Sequence, residues 1–280
     1  MSTNAIKPGE GRAGAYWIDF PEARRCVEML VEIAQEEPDE RPTCVVLAGQ
    51  SGMGKTSILR EAQRRIVRTF PKPPGWEGAR FEPMLRTVIP AGPTSLKINL
   101  TLLWKQGWPI SSRTHRIADF KVVDLLREQR TRLVAVDNVH AILMASGKAR
   151  RDALDAFRFL MSEGNVPLVV AGLDVAADIF AEDAELASRS IIQRLNPWPA
   201  GESSQRLIRA LARGMELVEP DRLAEPDIAE FIWRHSQGVT GNFKRLLHWG
   251  LKVARRHGRE LVTAADIHEA AELLSVHPAA

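Results

Sequence analysis

Short apolar runs alternate with segments of helical periodicity over the first 200 residues of the chain. The apolar runs are typical of buried strands and cover residues 44–48, 85–89, 133–136 and 168–171, with a fifth at 190–195. Segments whose apolar residues recur at helical spacing separate these runs, at 57–69, 94–106, 116–130 and 149–162. This alternation predicts a parallel five-stranded sheet flanked by helices, an α/β fold.

The remainder of the chain shows helical periodicity only. Helices are predicted over 203–213, 226–237, 242–257 and 263–275, and one more near the start, over 21–37. The last of them opens on a capping-box pattern, Thr263-x-x-Asp266. We therefore expect a flexible N-terminal arm at 1–15, a large α/β domain at 16–200 and a small all-helical domain at 201–280.

A complete phosphate-binding motif connects the first predicted strand to the helix after it. Residues 49–56 read GQSGMGKT, which matches GxxxxGK[ST] in the context that the motif requires. Its glycines let successive backbone N–H groups turn toward one anion, Lys55 can reach the β and γ phosphates, and the Thr56 hydroxyl can ligate Mg²⁺. The sequence thus predicts ATP and Mg²⁺ as cofactors, bound by Gly49, Gln50, Ser51, Gly52, Met53, Gly54, Lys55, Thr56 and Ser57.

The predicted strand at 133–136 leads into a carboxylate, Asp137. After a P-loop, a buried strand that ends in Asp is typical of the Walker B motif, in which the carboxylate holds the Mg²⁺ shell beside Thr56. An ordinary strand that happens to end in Asp is the alternative. The next residue is Asn138, whose amide can orient water but cannot accept its proton. We therefore expect nucleotide binding and at most weak ATP hydrolysis.

Composition restricts the function only slightly. Net charge is +3 with a pI near 9.0, so any basic surface must be local. The two cysteines, Cys26 and Cys44, lie in apolar segments, which favours buried thiols over a disulfide or metal framework. No apolar run approaches the roughly 18 residues of a membrane span, and the N-terminus lacks the apolar core of a signal peptide. A cytoplasmic protein without membrane contact is expected.

The layout and several short segments resemble a known family. The extra strand and helices between Lys55 and Asp137, followed by a helical C-terminal module, resemble AAA+ ATPases. Segments 17–24 (WIDFPEAR), 137–140 (DNVH), 183–189 (DAELASR), 235–241 (HSQGVTG) and 245–247 (RLL) are similar in order and spacing to the TniB family of AAA+ transposition proteins, relatives of TnsC. The similarity runs from about Trp17 to Ala271. This chain departs from the family at Asn138, where Glu is usual, and at 190–192, where a Phe usually follows the arginine.

The resemblance implies roles for two arginines. Arg189 occupies the position of the arginine finger that one AAA+ subunit directs at its neighbour's γ-phosphate. Arg245 occupies the sensor-2 position on the helical lid domain, with Lys244 as a neighbouring candidate. The alternatives are a surface arginine at a helix end and an ordinary solvated helix charge. The polar sensor-1 residue after the strand at 168–171 stays open between Asp174 and the Gly172 backbone.

DNA contact is also implied by the resemblance, since TnsC-like proteins assemble on duplex DNA and contact its phosphates. The candidate residues are Lys97, Arg113, Thr114 and Arg116, which combine basic and hydroxyl groups suited to sugar-phosphate contacts. A solvated loop is the alternative. Trp104 and Trp108 are expected to serve packing, because base stacking would require single strands.

The resemblance therefore implies an ATP-dependent regulator of DNA transposition. Such a protein would oligomerise head-to-tail into a ring or helical filament on duplex DNA, without sequence specificity, and recruit or activate a DDE transposase. One alternative is an AAA+ protein of the helicase-loader or initiator type. Another is a scaffold that binds ATP between subunits without hydrolysing it, which Asn138 favours.

Overall fold

The computed structural model describes residues 17–37, 41–77 and 80–275, so the predicted arm at 1–15 lies outside the described residues. The chain divides into two compact units. The sheet unit comprises 21–49 and 55–195, and the helical unit comprises, of the described residues, 17–20, 50–54 and 196–275. The separate domains predicted at 16–200 and 201–280 stay a prediction.

A parallel five-stranded sheet forms the centre of the sheet unit, which confirms the predicted fold class. The strands are β1 (Cys44–Ala48), β2 (Met84–Val88), β3 (Leu133–Asp137), β4 (Leu168–Gly172) and β5 (Ser190–Arg194), in the spatial order β2-β3-β4-β1-β5. Every residue of β1, β3 and β4 is buried. Strands covered on both faces need continuous apolar side chains, which explains the unbroken runs in the sequence.

Helices cover both faces of this sheet. Their bounds are α1 (Pro21–Gln35), α2 (Lys55–Thr69), α3 (Ser95–Lys105), α4 (Ser112–Glu128), α5 (Gly147–Gly164), α6 (Val175–Glu182) and α7 (Ala184–Ala187). Helices α3, α4 and α5 pack with α6 around one core that includes Val136, Val170, Phe157 and Phe180. Helices α1 and α2 pack against each other, and α2 also contacts β2 and β4. Because side chains alternate along a strand, Asp137 points away from that core, toward α2.

Helix α4 begins earlier than the sequence pattern predicted. Its N-cap is Ser111, whose side chain accepts a hydrogen bond from the Thr114 backbone N–H while the Ser111 N–H donates to Thr114 Oγ1. This reciprocal capping box satisfies two backbone donors and starts the helix at Ser112 rather than near residue 116. The sequence pattern also missed α6, α7 and a 3₁₀ segment, Val139–Met144, because each is shorter than the window that reveals helical periodicity.

The helical unit contains four amphipathic helices, α8 (Glu202–Gly214), α9 (Pro226–Ser236), α10 (Thr240–Arg256) and α11 (Ala264–Ser275). Their apolar faces share one core, with Phe243 and Ile267 fully buried. The predicted Thr263-x-x-Asp266 cap is confirmed: the Thr263 N–H donates to Asp266 Oδ2 at 2.8 Å, and the Asp266 N–H donates to Thr263 Oγ1 at 3.4 Å. Despite burial, hydrogen bonds from Thr263 and the Arg259 guanidinium lower the pKa of Asp266.

Trp198 connects three parts of the helical unit. Its indole Nε1 donates to Thr240 Oγ1 at 2.8 Å, its carbonyl accepts from Trp233 Nε1 at 2.8 Å, and its ring meets Phe20 edge-on at 4.4 Å. Buried indole N–H groups usually have a hydrogen-bond partner, so these bonds restrict how Trp198, Thr240 and Trp233 can pack together. The first of them holds Thr240, the first residue of α10, against Trp198.

Both cysteines are buried and free, as predicted. Desolvation raises the pKa of the Cys26 thiol to about 11 and that of Cys44 to about 12, so neither thiol ionises near neutral pH. Within the described residues, no helix has both the length and the apolar character that crossing a membrane requires.

Candidate nucleotide-binding site

The P-loop backbone adopts conformations that suit its glycines. Gly52 and Gly54 have φ values of 82° and 91°, a region that residues with a Cβ rarely occupy. Helix α2 starts directly after them, at Lys55. The first N–H groups of a helix have no partner within it and carry the positive end of its dipole, so this turn can receive an anion.

Lys55 is buried at the start of α2, and its Nζ donates to the Gly49 carbonyl at 2.6 Å. Burial lowers the pKa of Lys55, while the negative charges of Asp137 and Asp174 counteract that shift. A half-desolvated ammonium gains from an additional anion, because little water remains to compete for it. The position and environment of Lys55 are compatible with its predicted phosphate-binding role, which stays a prediction.

Thr56 and Asp137 come together although 81 positions separate them. Thr56 Oγ1 donates to Asp137 Oδ2 at 2.5 Å, and the Asp137 carboxylate is almost fully buried at the end of β3. A hydroxyl and a carboxylate are hard oxygen ligands, and Mg²⁺ is commonly held by one or two protein oxygens together with waters and substrate phosphates. In the part of the chain that the structure describes, no cluster of three His, Cys, Asp or Glu forms an all-protein metal site. The pair fits Mg²⁺ bound with a nucleotide.

Asn138 follows Asp137 in a left-handed backbone conformation, with φ 60° and ψ 33°. Asparagine tolerates this region better than most residues. The Asn138 N–H donates to Asp137 Oδ1 at 2.8 Å, which fixes the carboxylate, while its own side chain is exposed. The turn thus supplies an amide and no carboxylate at this position.

The tip of the P-loop contacts the start of α10 inside the helical unit. The Gly241 N–H donates to the Gly52 carbonyl at 2.9 Å, and a Cβ on Gly241 would lie only 3.1 Å from Gly52 Cα. Arg245 is exposed one helical turn further along α10, on the same face as Gly241. Its sensor-2 role stays a prediction, and its place on α10 is compatible with that role.

Arg189 lies at the amino-terminal ends of the strands, whereas the P-loop lies at their carboxyl ends. Its carbonyl accepts from the Cys44 N–H at the first residue of β1, whereas the P-loop follows the last residue of β1. A strand of this length spans about 16 Å. Arg189 donates to Glu185 at 3.0 Å, and its side chain is only 16% exposed. This placement cannot serve the P-loop of the same subunit, and its role as a finger toward a neighbour stays a prediction.

Three of the four DNA-contact candidates are exposed in the sheet unit: Lys97, Arg113 and Arg116. Lys97 Nζ donates to the Ala91 carbonyl at 3.2 Å. Thr114 differs, because it is buried and its hydroxyl donates to the Pro109 carbonyl at 3.0 Å within the capping box. The structure therefore gives Thr114 a capping function, and DNA contact by its hydroxyl stays a prediction.

Two charged residues outside the predicted nucleotide site, Arg194 and Asp178, also lie near this region. Arg194 pairs in register with Ala48, and its guanidinium lies 3.9 Å from Asp174 and 3.7 Å from Asp178. Only the strand order reveals this proximity. The packing role expected for Trp104 is wrong, since that side chain is 63% exposed, while Trp108 packs on the core.

Several solved structures have a similar fold. The Aeropyrum pernix ORC2 protein in ADPNP–ADP complexes matches with a TM-score of 0.66 and 17% identity over 90% of this chain and 66% of that chain. The Thermotoga maritima RuvB Holliday junction branch migration motor matches with a TM-score of 0.57 and 14% identity, over 91% of this chain and 69% of that chain. The Aeropyrum pernix ORC1 protein in complex with DNA matches with a TM-score of 0.62 and 19% identity, over 90% of this chain and 64% of that chain. This chain thus spans about two thirds of the length of each.

The sheet order, the P-loop after β1 and these structural neighbours define an AAA+ P-loop protein. Identities below 20% establish the fold alone. Sequence is more specific: the family model described as Bacterial TniB protein matches residues 13–200. The chain belongs to the TniB family, as the sequence resemblance predicted. No curated protein matches the chain in sequence.

Proposed function

We propose that this TniB-family protein is an ATP-dependent regulator of DNA transposition. It binds ATP with Mg²⁺, oligomerises head-to-tail on duplex DNA and recruits or activates a DDE transposase. The observation that carries the nucleotide part is the Thr56–Asp137 contact of 2.5 Å beside the P-loop lysine. Family membership supports the transposition part.

Nucleotide binding rests on the P-loop and the start of α2. The N–H groups of residues 50–56 and the positive helix end receive the phosphate oxygens, and the Lys55 ammonium exchanges its bond with the Gly49 carbonyl for a phosphate. Thr56 and Asp137 hold the metal ion, which supplies charge neutralisation at the phosphates when bound. Arg245 on α10 approaches the nucleotide as the sensor-2 cation.

The position of Arg189 supports head-to-tail assembly. Its backbone lies about one strand length, about 16 Å, from its own P-loop, at the opposite ends of the strands, which suits an arginine that completes the site of another subunit. A contact that joins two different surfaces of the same chain propagates as a ring or a helix. The nucleotide then becomes part of the interface, so assembly requires ATP.

Duplex DNA is bound through its phosphates. Lys97, Arg113 and Arg116 are exposed cations in the sheet unit, which suits sequence-indifferent backbone contact. Repetition of the same three cations in every subunit multiplies weak contacts along the duplex.

Electron microscopy of the protein with duplex DNA, with and without ATP and Mg²⁺, tests this proposal. We expect filaments or rings only when DNA, ATP and Mg²⁺ are all present. Lys55→Ala should lose both nucleotide binding and assembly, because the buried site loses its cation. Lys148→Ala, at the exposed start of α5, is the matched control and should assemble normally. Assembly without nucleotide, or no assembly by the wild type with ATP, would contradict the proposal.

Asn138 favours a second candidate, a scaffold that binds ATP between subunits without turnover. The amide at this position cannot take a proton from the attacking water. Measurement of phosphate release from DNA-bound assemblies separates the two candidates. A transposase gene beside this one in the genome would favour transposition over a helicase-loader role, whether or not the protein hydrolyses ATP.

A further inference from the structure

General-base catalysis of ATP hydrolysis needs a group that takes a proton from the attacking water, and the Asn138 amide cannot take it. A carboxylate at the same edge of the sheet is the candidate for this role if the protein hydrolyses ATP by this route. The assignment of that carboxylate therefore rests on the proposed ATP-dependent function.

The turn after β4 is the one turn that the sheet order places between the Walker B strand and the P-loop strand. Strand β4 pairs with β3 on one side, where Val170 lies opposite Val136, and with β1 on the other, where Gly172 lies opposite Ala48. Residues that follow Gly172 therefore leave the sheet between Asp137 and Gly49. Asp174 is the second residue after Gly172.

Close packing fixes this turn against the Asp137–Asn138 turn. A Cβ on Gly172 would lie 2.9 Å from Val139 Cγ1 and 3.2 Å from the His140 nitrogen, so only glycine fits there. Such an approach leaves little freedom to the residues that follow, since a packed backbone has no room to shift. Close packing around Gly172 thus limits where Asp174 can lie relative to Asp137.

The Asp174 carboxylate is available for chemistry. Asp174 is the N-cap residue of α6 but makes no side-chain cap bond, and its side chain is 52% exposed. Arg194, level with Ala48 at the P-loop edge, lies 3.9 Å away. Asp174 also acts electrostatically on Lys55, which places its charge near the phosphate-binding lysine.

We infer that Asp174 is the catalytic base that accepts the proton of the attacking water. In this step the water oxygen forms a bond to the γ-phosphorus, and the bond from that phosphorus to the bridging oxygen breaks and leaves its electron pair on ADP. One water proton passes to an Asp174 carboxylate oxygen and is then released to solvent. Asn138 orients the same water through its amide.

The test crosses two substitutions, Asp174→Asn and Asn138→Glu, in the full chain. Removal of a general base typically costs about 10²- to 10⁴-fold in turnover. We expect Asp174→Asn to lower turnover by about that factor in the wild-type background and to have little effect in the Asn138→Glu background, which has a second base. Asp178→Asn is the matched control, because Asp178 lies one helical turn further along α6 and shares the contact with Arg194.

Two measurements that do not depend on turnover complete the experiment. Affinity for a non-hydrolysable ATP analogue with Mg²⁺ should be equal in wild type and Asp174→Asn, and DNA-bound assemblies of Asp174→Asn formed with ATP should persist longer. An equal loss of turnover in both backgrounds, a loss of analogue affinity, or unchanged turnover would each overturn the assignment of Asp174. Failure of the wild type to bind the analogue would instead contradict the proposed function itself.

Discussion

The hydroxyl of Thr56, at the start of helix α2, and the carboxylate of Asp137, the last residue of strand β3, lie 2.5 Å apart. The hydrogen bond brings two hard oxygen ligands together, as the proposed Mg²⁺ site requires. The Asn138 N–H donates to the second carboxylate oxygen, so both oxygens of Asp137 have a hydrogen-bond partner.

Asp137→Ala should remove most of the Mg²⁺ dependence of ATP binding. Loss of a residue that orients a metal typically costs about 10- to 100-fold in metal affinity. Titration of a fluorescent ATP analogue with and without Mg²⁺ measures the effect. Asp137→Asn, which keeps an oxygen acceptor for Thr56, separates the loss of charge from misfolding, and Asp124→Ala, exposed on α4, is the control. Normal strengthening by magnesium in both Asp137 variants would show that this carboxylate does not serve the metal.

Arg189→Ala should leave ATP binding by the monomer nearly intact and eliminate cooperative binding to DNA. The reason is its proposed role, since Arg189 lies away from its own P-loop and would complete the site of a neighbouring subunit. The Hill coefficient for DNA binding should fall to about 1, the value for independent sites. Arg150→Ala, which breaks an ion pair with Glu182 elsewhere in the sheet unit, should keep wild-type cooperativity. If Arg189→Ala forms normal assemblies, the finger assignment is wrong.

Local patterns in the sequence predicted the strands, the P-loop and Asp137, because each depends on a few adjacent residues. They could not predict the strand order, which brings Asp174 and Arg194 near the P-loop although both lie far from it along the chain. Long-range pairing of this kind leaves no periodic signal. The Ser111–Thr114 box was visible in the sequence, but its Thr takes the place of the usual Glu or Gln.

Thr114→Ala should lower the free energy of unfolding by about 1 to 2 kcal/mol, since it removes half of a capping box and leaves the Pro109 carbonyl without its donor. Urea unfolding followed by circular dichroism measures this change. Thr101→Ala is the control, because the Thr101 hydroxyl only bonds back to the Lys97 carbonyl on an exposed helix face. A loss of DNA affinity without a loss of stability would instead assign Thr114 to the DNA surface.

DNA binding should be sequence-indifferent and salt-sensitive, because the proposed contacts of Lys97, Arg113 and Arg116 are to phosphates. Each phosphate neutralised by a cation contributes about 0.9 to the slope of log affinity against log salt concentration. Replacement of all three by Ala should therefore reduce the magnitude of that slope by about 2.7 for one subunit and weaken binding to unrelated duplexes equally.

Fluorescence anisotropy across a series of salt concentrations, at saturating ATP and Mg²⁺, measures this slope. The matched control replaces three exposed arginines of the helical unit, Arg206, Arg222 and Arg234, which changes the net charge by the same amount. Since net charge alone also affects binding to a polyanion, only a larger effect of the first triple variant supports a defined contact surface. ATP affinity should be equal in both triple variants, because none of the six residues belongs to the P-loop or to β3. An unchanged slope in the first variant would place the DNA surface elsewhere, with the basic end of α10 and the residues after it, 252–259, as the next candidate.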